Sequence, residues 1–80
     1  MNLQTKQKFE PAARLIKYFG GQVATAKALK VEQGTVSGWL NCAHGVSSLN
    51  AMRAEKLTSG AIKADELCPE LAQINEPEEA

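Results

Sequence analysis

The chain has 80 residues, 44% of them hydrophobic and 22% charged, and this composition predicts one small globular domain. Its apolar runs are shorter than the ~18–20 residues that cross a bilayer, and residues 1–10 lack the apolar region of a secretion signal, so we expect a cytoplasmic protein with no membrane partner. Cys42 and Cys68 lie far apart without a CxxC pair, which excludes an ordinary structural zinc site and a disulfide scaffold. We therefore expect inert thiols, no metal and no cofactor.

The charges sum to zero but are segregated along the chain. Residues 1–64 hold all nine bases and three acids, a balance of +6, whereas residues 65–80 hold six acids and no base, a balance of −6. A basic body with an acidic end favours a polyanion as partner. A solvated surface with an acidic tail that aids solubility explains the same pattern equally well.

Glycine and proline divide the first half of the chain into three predicted helices. After a flexible segment over residues 1–10, Pro11 suits the first turn of a helix, where its missing N–H has no partner to lose. Apolar residues recur with helical spacing up to Phe19, and Gly20-Gly21 ends the helix. A second helix is predicted over residues 22–29 and a third over residues 33–40. Their inward-facing residues are expected to be Ala12, Leu15, Ile16 and Phe19, then Val23, Ala26 and Leu29, then Val36, Trp39 and Leu40.

The second half predicts one further long helix and a short one. Residues 41–47 form a loop, after which Ser47 or Ser48 can cap a fourth helix that runs to about Leu57. The apolar residues of this half are Leu49, Met52 and Leu57 in the fourth helix and Ile62 and Leu67 beyond Gly60. Residues 72–80 are expected to form an acidic disordered tail. The prediction is an all-α fold, a compact bundle of four or five short helices, with its ordered domain over residues 11–71.

The second and third helices have the spacing of a helix-turn-helix. Ala26 is small where two helices would cross closely, and Val31 can fill the corner of the turn. Val36 and Trp39 lie three apart on the inner face of the third helix. Chance matches to this pattern are common in all-α proteins, but the preceding helix and the basic body make DNA binding the favoured interpretation.

The outer face of the third helix carries short, uncharged residues, namely Gln33, Gly34, Ser37 and Gly38. A face that only keeps the protein in solution normally carries lysine and glutamate, whereas a face that enters a DNA groove needs hydrogen-bonding groups and room. Each glycine costs ~1 kcal/mol of helix propensity relative to alanine, so the presence of two glycines in one short helix requires an explanation. Close approach of the backbone to DNA is one explanation, and a weak, frayed helix held by Trp39 is the other.

Two blocks of residues carry a family resemblance. The first holds Gly20-Gly21-Gln22, residues 26–31, Gln33, Val36-Ser37 and Trp39, and the second holds residues 54–56, Thr58, residues 60–62 and residues 66–71. Together they resemble the short Cro/CI-type helix-turn-helix repressors of bacterial prophages, particularly the YdaS-like group, over roughly residues 11–71. The resemblance implies a sequence-specific DNA-binding regulator, usually dimeric, of phage or prophage origin. Two positions depart from the family pattern: Lys30 stands where glycine is normal in the turn, and Glu32 stands where serine often caps the next helix.

The predicted DNA contacts divide into base-reading and phosphate-binding residues. Gln33 suits a two-bonded contact with an adenine edge, and Ser37 can reach a base or a phosphate, with Gly34 and Gly38 allowing close approach. The resemblance implies that Gln22 touches a phosphate and braces Gln33. The phosphate contacts are predicted to be Gln22, Thr35, Asn41, Lys17, Lys27 and Lys30. Asn41 can equally close the helix, each lysine can equally be a solvated surface residue, Trp39 is assigned to the core, and His44 is given no role.

We predict a symmetric dimer on a near-palindromic operator in double-stranded DNA, because one short helix does not specify enough sequence. The dimer surface is predicted at Met52, Leu57, Ile62, Leu67 and Leu71. The alternative is an antitoxin-type protein whose main role is to bind a partner protein, a toxin or a phage regulator. Catalysis is not expected, because the sequence has no nucleophile elbow, phosphate-cradling loop or paired carboxylates in an ordered segment.

Overall fold

The structure, a computed structural model, describes residues 8–75, and this part of the chain forms six helices and no strand. The helices are α1 (Glu10–Phe19), α2 (Gln22–Leu29), α3 (Gln33–Leu40), α4 (Ser48–Leu57), α5 (Ala64–Leu67) and α6 (Glu70–Asn75). The all-α prediction is confirmed. The count exceeds four or five because the chain after Gly60 forms two short helices, which Cys68 and Pro69 separate. None of the helices in this range is long and apolar enough to span a bilayer.

The start of α1 is fastened to the end of α3. Phe9 precedes the helix in an extended conformation, and its N–H donates to the Leu40 carbonyl at 2.8 Å. Pro11 follows within the first turn, as expected from its missing N–H. Residues 8–10 of the segment predicted as flexible therefore lie against the fold, while residues 1–7 lie outside the described range.

Two glycines turn the chain between α1 and α2. Gly20 adopts φ 96°, a left-handed conformation that favours glycine, and the N–H groups of Gly20 and Gly21 both donate to the Ile16 carbonyl. The hydroxyl of Thr25, which is fully buried, donates to the Gly21 carbonyl at 2.8 Å. The local sequence therefore ends one helix and begins the next within two residues.

The core draws on α1 to α5, and most of its largest side chains come from the first three helices. Its largest fully buried side chains are Trp39, Leu15, Leu29, Leu67 and Val36. Helix α2 packs against α3, and α1 packs against both. Val23, predicted to face inward, is exposed instead, because α2 buries Thr25, Ala26 and Leu29.

Helix α4 buries the opposite face from the one its large apolar residues suggest. Ala51 and Ala54 are fully buried, whereas Leu49, Met52 and Leu57 are about half exposed. Alanine lets α4 approach its neighbours α2 and α5 closely, a placement that leaves the longer side chains outside. The sequence therefore predicted the helix and its large apolar residues, and the structure shows that its alanines form the face packed on the core.

Side-chain hydrogen bonds cap α4 and hold it against α2. The Ser47 hydroxyl accepts from the Asn50 N–H at 3.2 Å, which makes Ser47 the N-cap of α4. A guanidinium nitrogen of Arg53 donates to the Leu29 carbonyl at 3.2 Å and joins α4 to the end of α2.

An ion pair joins the first and fifth helices. Arg14 donates to the carboxylate of Glu66, and its Nε lies 3.6 Å from Oε2 of Glu10. The hydrogen bond to Glu66 raises the pKa of Arg14 above its ordinary value. Within residues 8–75 the ion pairs lie at Arg14, so this arginine is already occupied by protein carboxylates.

The end of the described chain continues as helix. Helix α6 extends four residues into the segment predicted as a tail, and residues 76–80 lie outside the described range. The division into an N-terminal segment, a domain and a tail otherwise stays a prediction.

Candidate nucleic-acid interface

A sharp turn joins α2 to α3. Lys30 ends α2 with φ 60° and ψ 45°, in the left-handed region, although it is not a glycine. The Lys30 N–H donates to the Lys27 carbonyl and the Val31 N–H donates to the Ala26 carbonyl at 3.0 Å, so the turn is closed by the α2 backbone. Glu32 precedes α3 in an extended conformation, and its side chain makes no capping hydrogen bond. The departure at Lys30 therefore leaves the turn geometry intact.

The four residues predicted to form the core of the helix-turn-helix lie where α2 and α3 meet. Ala26, Val36 and Trp39 are buried, and Val31 is half-buried and packs against the core. Since these residues face inward, α3 turns its other side outward. That side carries the exposed residues Gln33 and Gly34.

Two glutamines connect the N-termini of the two helices. Nε2 of Gln33 donates to Oε1 of Gln22 at 2.8 Å, and the Gln33 side chain is exposed. The bond uses one of the two Nε2 hydrogens of Gln33 and leaves its carbonyl oxygen and second hydrogen available for another partner. The major-groove edge of adenine pairs with one acceptor and one donor of the protein. The bond to Gln22 therefore orients the Gln33 amide and still leaves it the acceptor and the donor that adenine requires.

Gly38 lies against His44 and not on the outer face, which corrects its assignment as a base-reading position. A Cβ at Gly38 would lie 2.1 Å from Nε2 of the His44 ring. The loop after α3 folds back over the helix, with the Ala43 N–H donating to the Gly38 carbonyl at 2.9 Å. Glycine at this position therefore leaves room for the His44 ring on α3. The sequence assigned His44 no role, and the structure places its ring in this space.

A line of polar side chains continues along α3 to its C-terminal end. Gln33, Ser37 and Asn41 are spaced four residues apart, and Asn41 is the residue that closes the helix. Nδ2 of Asn41 lies 3.3 Å from the Ser37 hydroxyl, and Nζ of Lys8 donates to Oδ1 of Asn41 at 3.2 Å. Lys8 was missed by the sequence reasoning, because no periodic pattern relates it to α3.

The remaining predicted phosphate contacts lie on or near the surface. Lys17, Lys27 and Lys30 are exposed, and Thr35 and Gln22 are half-buried. Phosphate oxygens are commonly bound by short hydroxyl and amide donors and by lysine. The described residues contain no group of three or more His, Cys, Asp and Glu that could hold a metal ion.

A helix that presents an uncharged polar face beyond a tight turn, on a small all-α body, defines a helix-turn-helix DNA-binding domain. Comparison with known proteins agrees with this class. A family model described as "DNA-binding transcriptional regulator Cro" matches residues 12–75, and the chain belongs to this family.

A curated relative supports the same assignment. The "Regulatory protein cro" of Pseudomonas phage D3 is 49% identical over 55 residues, which cover 69% of this chain and 75% of that protein. No solved structure matches the chain. The predicted resemblance to Cro-type regulators is confirmed, and the chain is a Cro-family DNA-binding transcriptional regulator. Neither finding supports the antitoxin alternative.

Proposed function

We propose that the protein reads one half of a near-palindromic operator with the exposed face of α3 and acts as a symmetric dimer in the host cytoplasm. The observation that carries this proposal is the hydrogen bond between Gln22 and Gln33. It pre-orients an exposed amide at the N-terminus of α3, the end that meets base edges in helix-turn-helix proteins. Gln33 is therefore the proposed base-reading residue, with Ser37 beside it one turn further along.

The residues around this face are proposed to bind the DNA backbone. The Gln22 amide uses its oxygen to hold Gln33, which leaves its nitrogen to donate to a phosphate. Its position at the first residue of α2 adds the positive end of the helix dipole. The other proposed phosphate contacts are Thr35, Asn41, Lys17, Lys27 and Lys30.

The proposed dimer surface is the outer face of α4. Leu49 and Met52 share this face, Leu57 lies at its edge, and all three are about half exposed. A second copy of the chain would cover them. The two α3 helices of such a dimer must lie about one DNA turn, ~34 Å, apart to read two half-sites. Ile62 and Leu67 do not belong to this surface, because both are buried in the core, and this corrects their predicted role; Leu71 is half-buried.

Base reading by Gln33 is tested with an operator selected from randomised duplex DNA. Gln33→Ala is expected to cost ~1–3 kcal/mol on the selected site and little on random duplex, because only the base contact is lost. Gln73→Ala is the matched control, since Gln73 is exposed on α6, which packs against α5 and away from α3. Equal losses of Gln33→Ala on both DNAs would contradict the assigned role.

The dimer surface is tested with Met52→Glu. Because Met52 is about half exposed in one subunit, the substitution should leave the helical circular-dichroism signal unchanged while a carboxylate disfavours the apolar contact. Sedimentation at DNA-binding concentrations should show dimers for the unaltered chain and monomers for the variant. A monomer that occupies an asymmetric selected site would refute the dimer proposal.

A further inference from the structure

We infer that Lys8 is a DNA phosphate contact, held at the C-terminal end of α3 by Asn41. This inference rests on the proposed function, in which the exposed face of α3 meets DNA. Lys8 would supply a cation at the C-terminal end of α3, opposite the end where Gln22 and Gln33 lie. No sequence motif includes Lys8, and the structure alone brings it to this helix.

The backbone around Lys8 is anchored to α3. The next residue, Phe9, donates its N–H to the Leu40 carbonyl at 2.8 Å, and its half-buried ring packs against the core. Lys8 is therefore attached directly to a residue whose position is set by α3. Its Nζ lies 3.2 Å from Oδ1 of Asn41, so the side chain extends along the helix end.

The ammonium group keeps its charge and most of its donors. Lysine has three N–H donors, of which Asn41 takes one, and an amide oxygen carries no charge to neutralise it. Lys8 is exposed, and the ion pairs of residues 8–75 lie at Arg14 and not here. A charged group with spare donors beside an exposed helix face is suited to bind a phosphate oxygen.

Asn41 connects this cation to the polar line of α3. Its oxygen accepts from Lys8, while its nitrogen lies 3.3 Å from the Ser37 hydroxyl. The amide is thus held in one orientation from both sides, and Lys8, Asn41 and Ser37 form one continuous group. A phosphate bound by Lys8 would flank the base pairs that Ser37 and Gln33 reach. Asn41 is a positioning residue in this arrangement.

The simpler role for Lys8 is structural, because a cation near a helix C-terminus stabilises the helix without any ligand. The two roles differ in the salt dependence of DNA binding. A phosphate contact adds ~0.9 per subunit to the magnitude of the slope of log Kobs against log salt concentration. A structural contact alone changes the melting temperature and leaves that slope unchanged.

The test measures binding to a duplex of random sequence between about 50 and 200 mM salt, a range over which the affinity changes enough to determine the slope. Lys8→Gln should reduce the magnitude of the slope by ~0.9 for each bound subunit, and Lys8→Arg should restore it. Lys63→Gln is the matched control, since Lys63 is exposed just before α5 and should leave the slope unchanged.

A second measurement identifies the phosphate on the selected operator. Single phosphates are replaced by neutral methylphosphonates. One replacement should weaken the unaltered protein by the same factor as Lys8→Gln and should not weaken that variant further. An unchanged slope for Lys8→Gln, or additive losses at every phosphate, overturns the inference. If Lys8→Gln has no effect while Gln33→Ala still loses specificity, only this inference fails; if the unaltered chain shows no salt-dependent binding, the proposed function fails as well.

Discussion

Lys30 occupies a backbone conformation that a glycine would adopt at lower cost. Its φ of 60° and ψ of 45° lie in the left-handed region, where a side chain with a Cβ costs ~1–2 kcal/mol. Lys30→Gly removes that cost but adds about 0.4–1 kcal/mol of conformational entropy to the unfolded chain. The expected result is a net stabilisation of ~0.5–1 kcal/mol, which raises Tm by roughly 2–8 °C in a domain of this size.

Lys27→Gly is the matched control for this prediction. Lys27 is exposed in the same helix, three residues earlier, but has ordinary helical geometry. Glycine there should destabilise the domain by about 0.5–1 kcal/mol, so the same substitution has opposite signs at the two positions. Both variants lose one lysine, and their comparison therefore removes the effect of charge.

The measurement is thermal unfolding followed by circular dichroism, with urea unfolding as a second probe. Lys30→Asn should fall between the original chain and Lys30→Gly, because asparagine tolerates the left-handed region better than lysine. A Tm for Lys30→Gly at or below that of Lys27→Gly would refute the assignment of strain to the turn. The helix-turn-helix would then have to close with a different geometry at Lys30.

Two further predictions concern α3 and α4. Gly38→Ala should stabilise the domain by ~1 kcal/mol of helix propensity only when His44→Ala is also present, because the new Cβ otherwise displaces the His44 ring. A double-mutant cycle measured by urea unfolding should give a coupling free energy of ~0.5–3 kcal/mol between the two positions. Additive effects would mean that the ring does not lie on Gly38. Ser47→Ala should destabilise the domain by ~1 kcal/mol through loss of the cap to the Asn50 N–H, whereas Ser48→Ala should have little effect; equal losses would contradict the cap assignment.

Local sequence signals predict the helices of the first half and the fourth helix nearly to the residue. The bounds of α2 and α3 agree with prediction, and α4 begins after its Ser47 cap. These limits follow from local interactions within one turn, such as the left-handed conformation of Gly20 and the hydroxyl cap of Ser47. The helix-turn-helix was equally accessible, because its residues lie within a span of fourteen positions of the chain, with Val36 and Trp39 at helical spacing.

The buried face of α4 and the contacts between distant residues depend on tertiary packing. Ala51 and Ala54 are buried in place of Leu49 and Met52, because the close approach of α4 to its neighbours selects small side chains over the more apolar ones. Gly38 leaves room for the ring of His44, a loop residue that returns onto α3. Such contacts depend on how the elements pack in space, so neither hydrophobic periodicity nor capping signals within one segment could predict them.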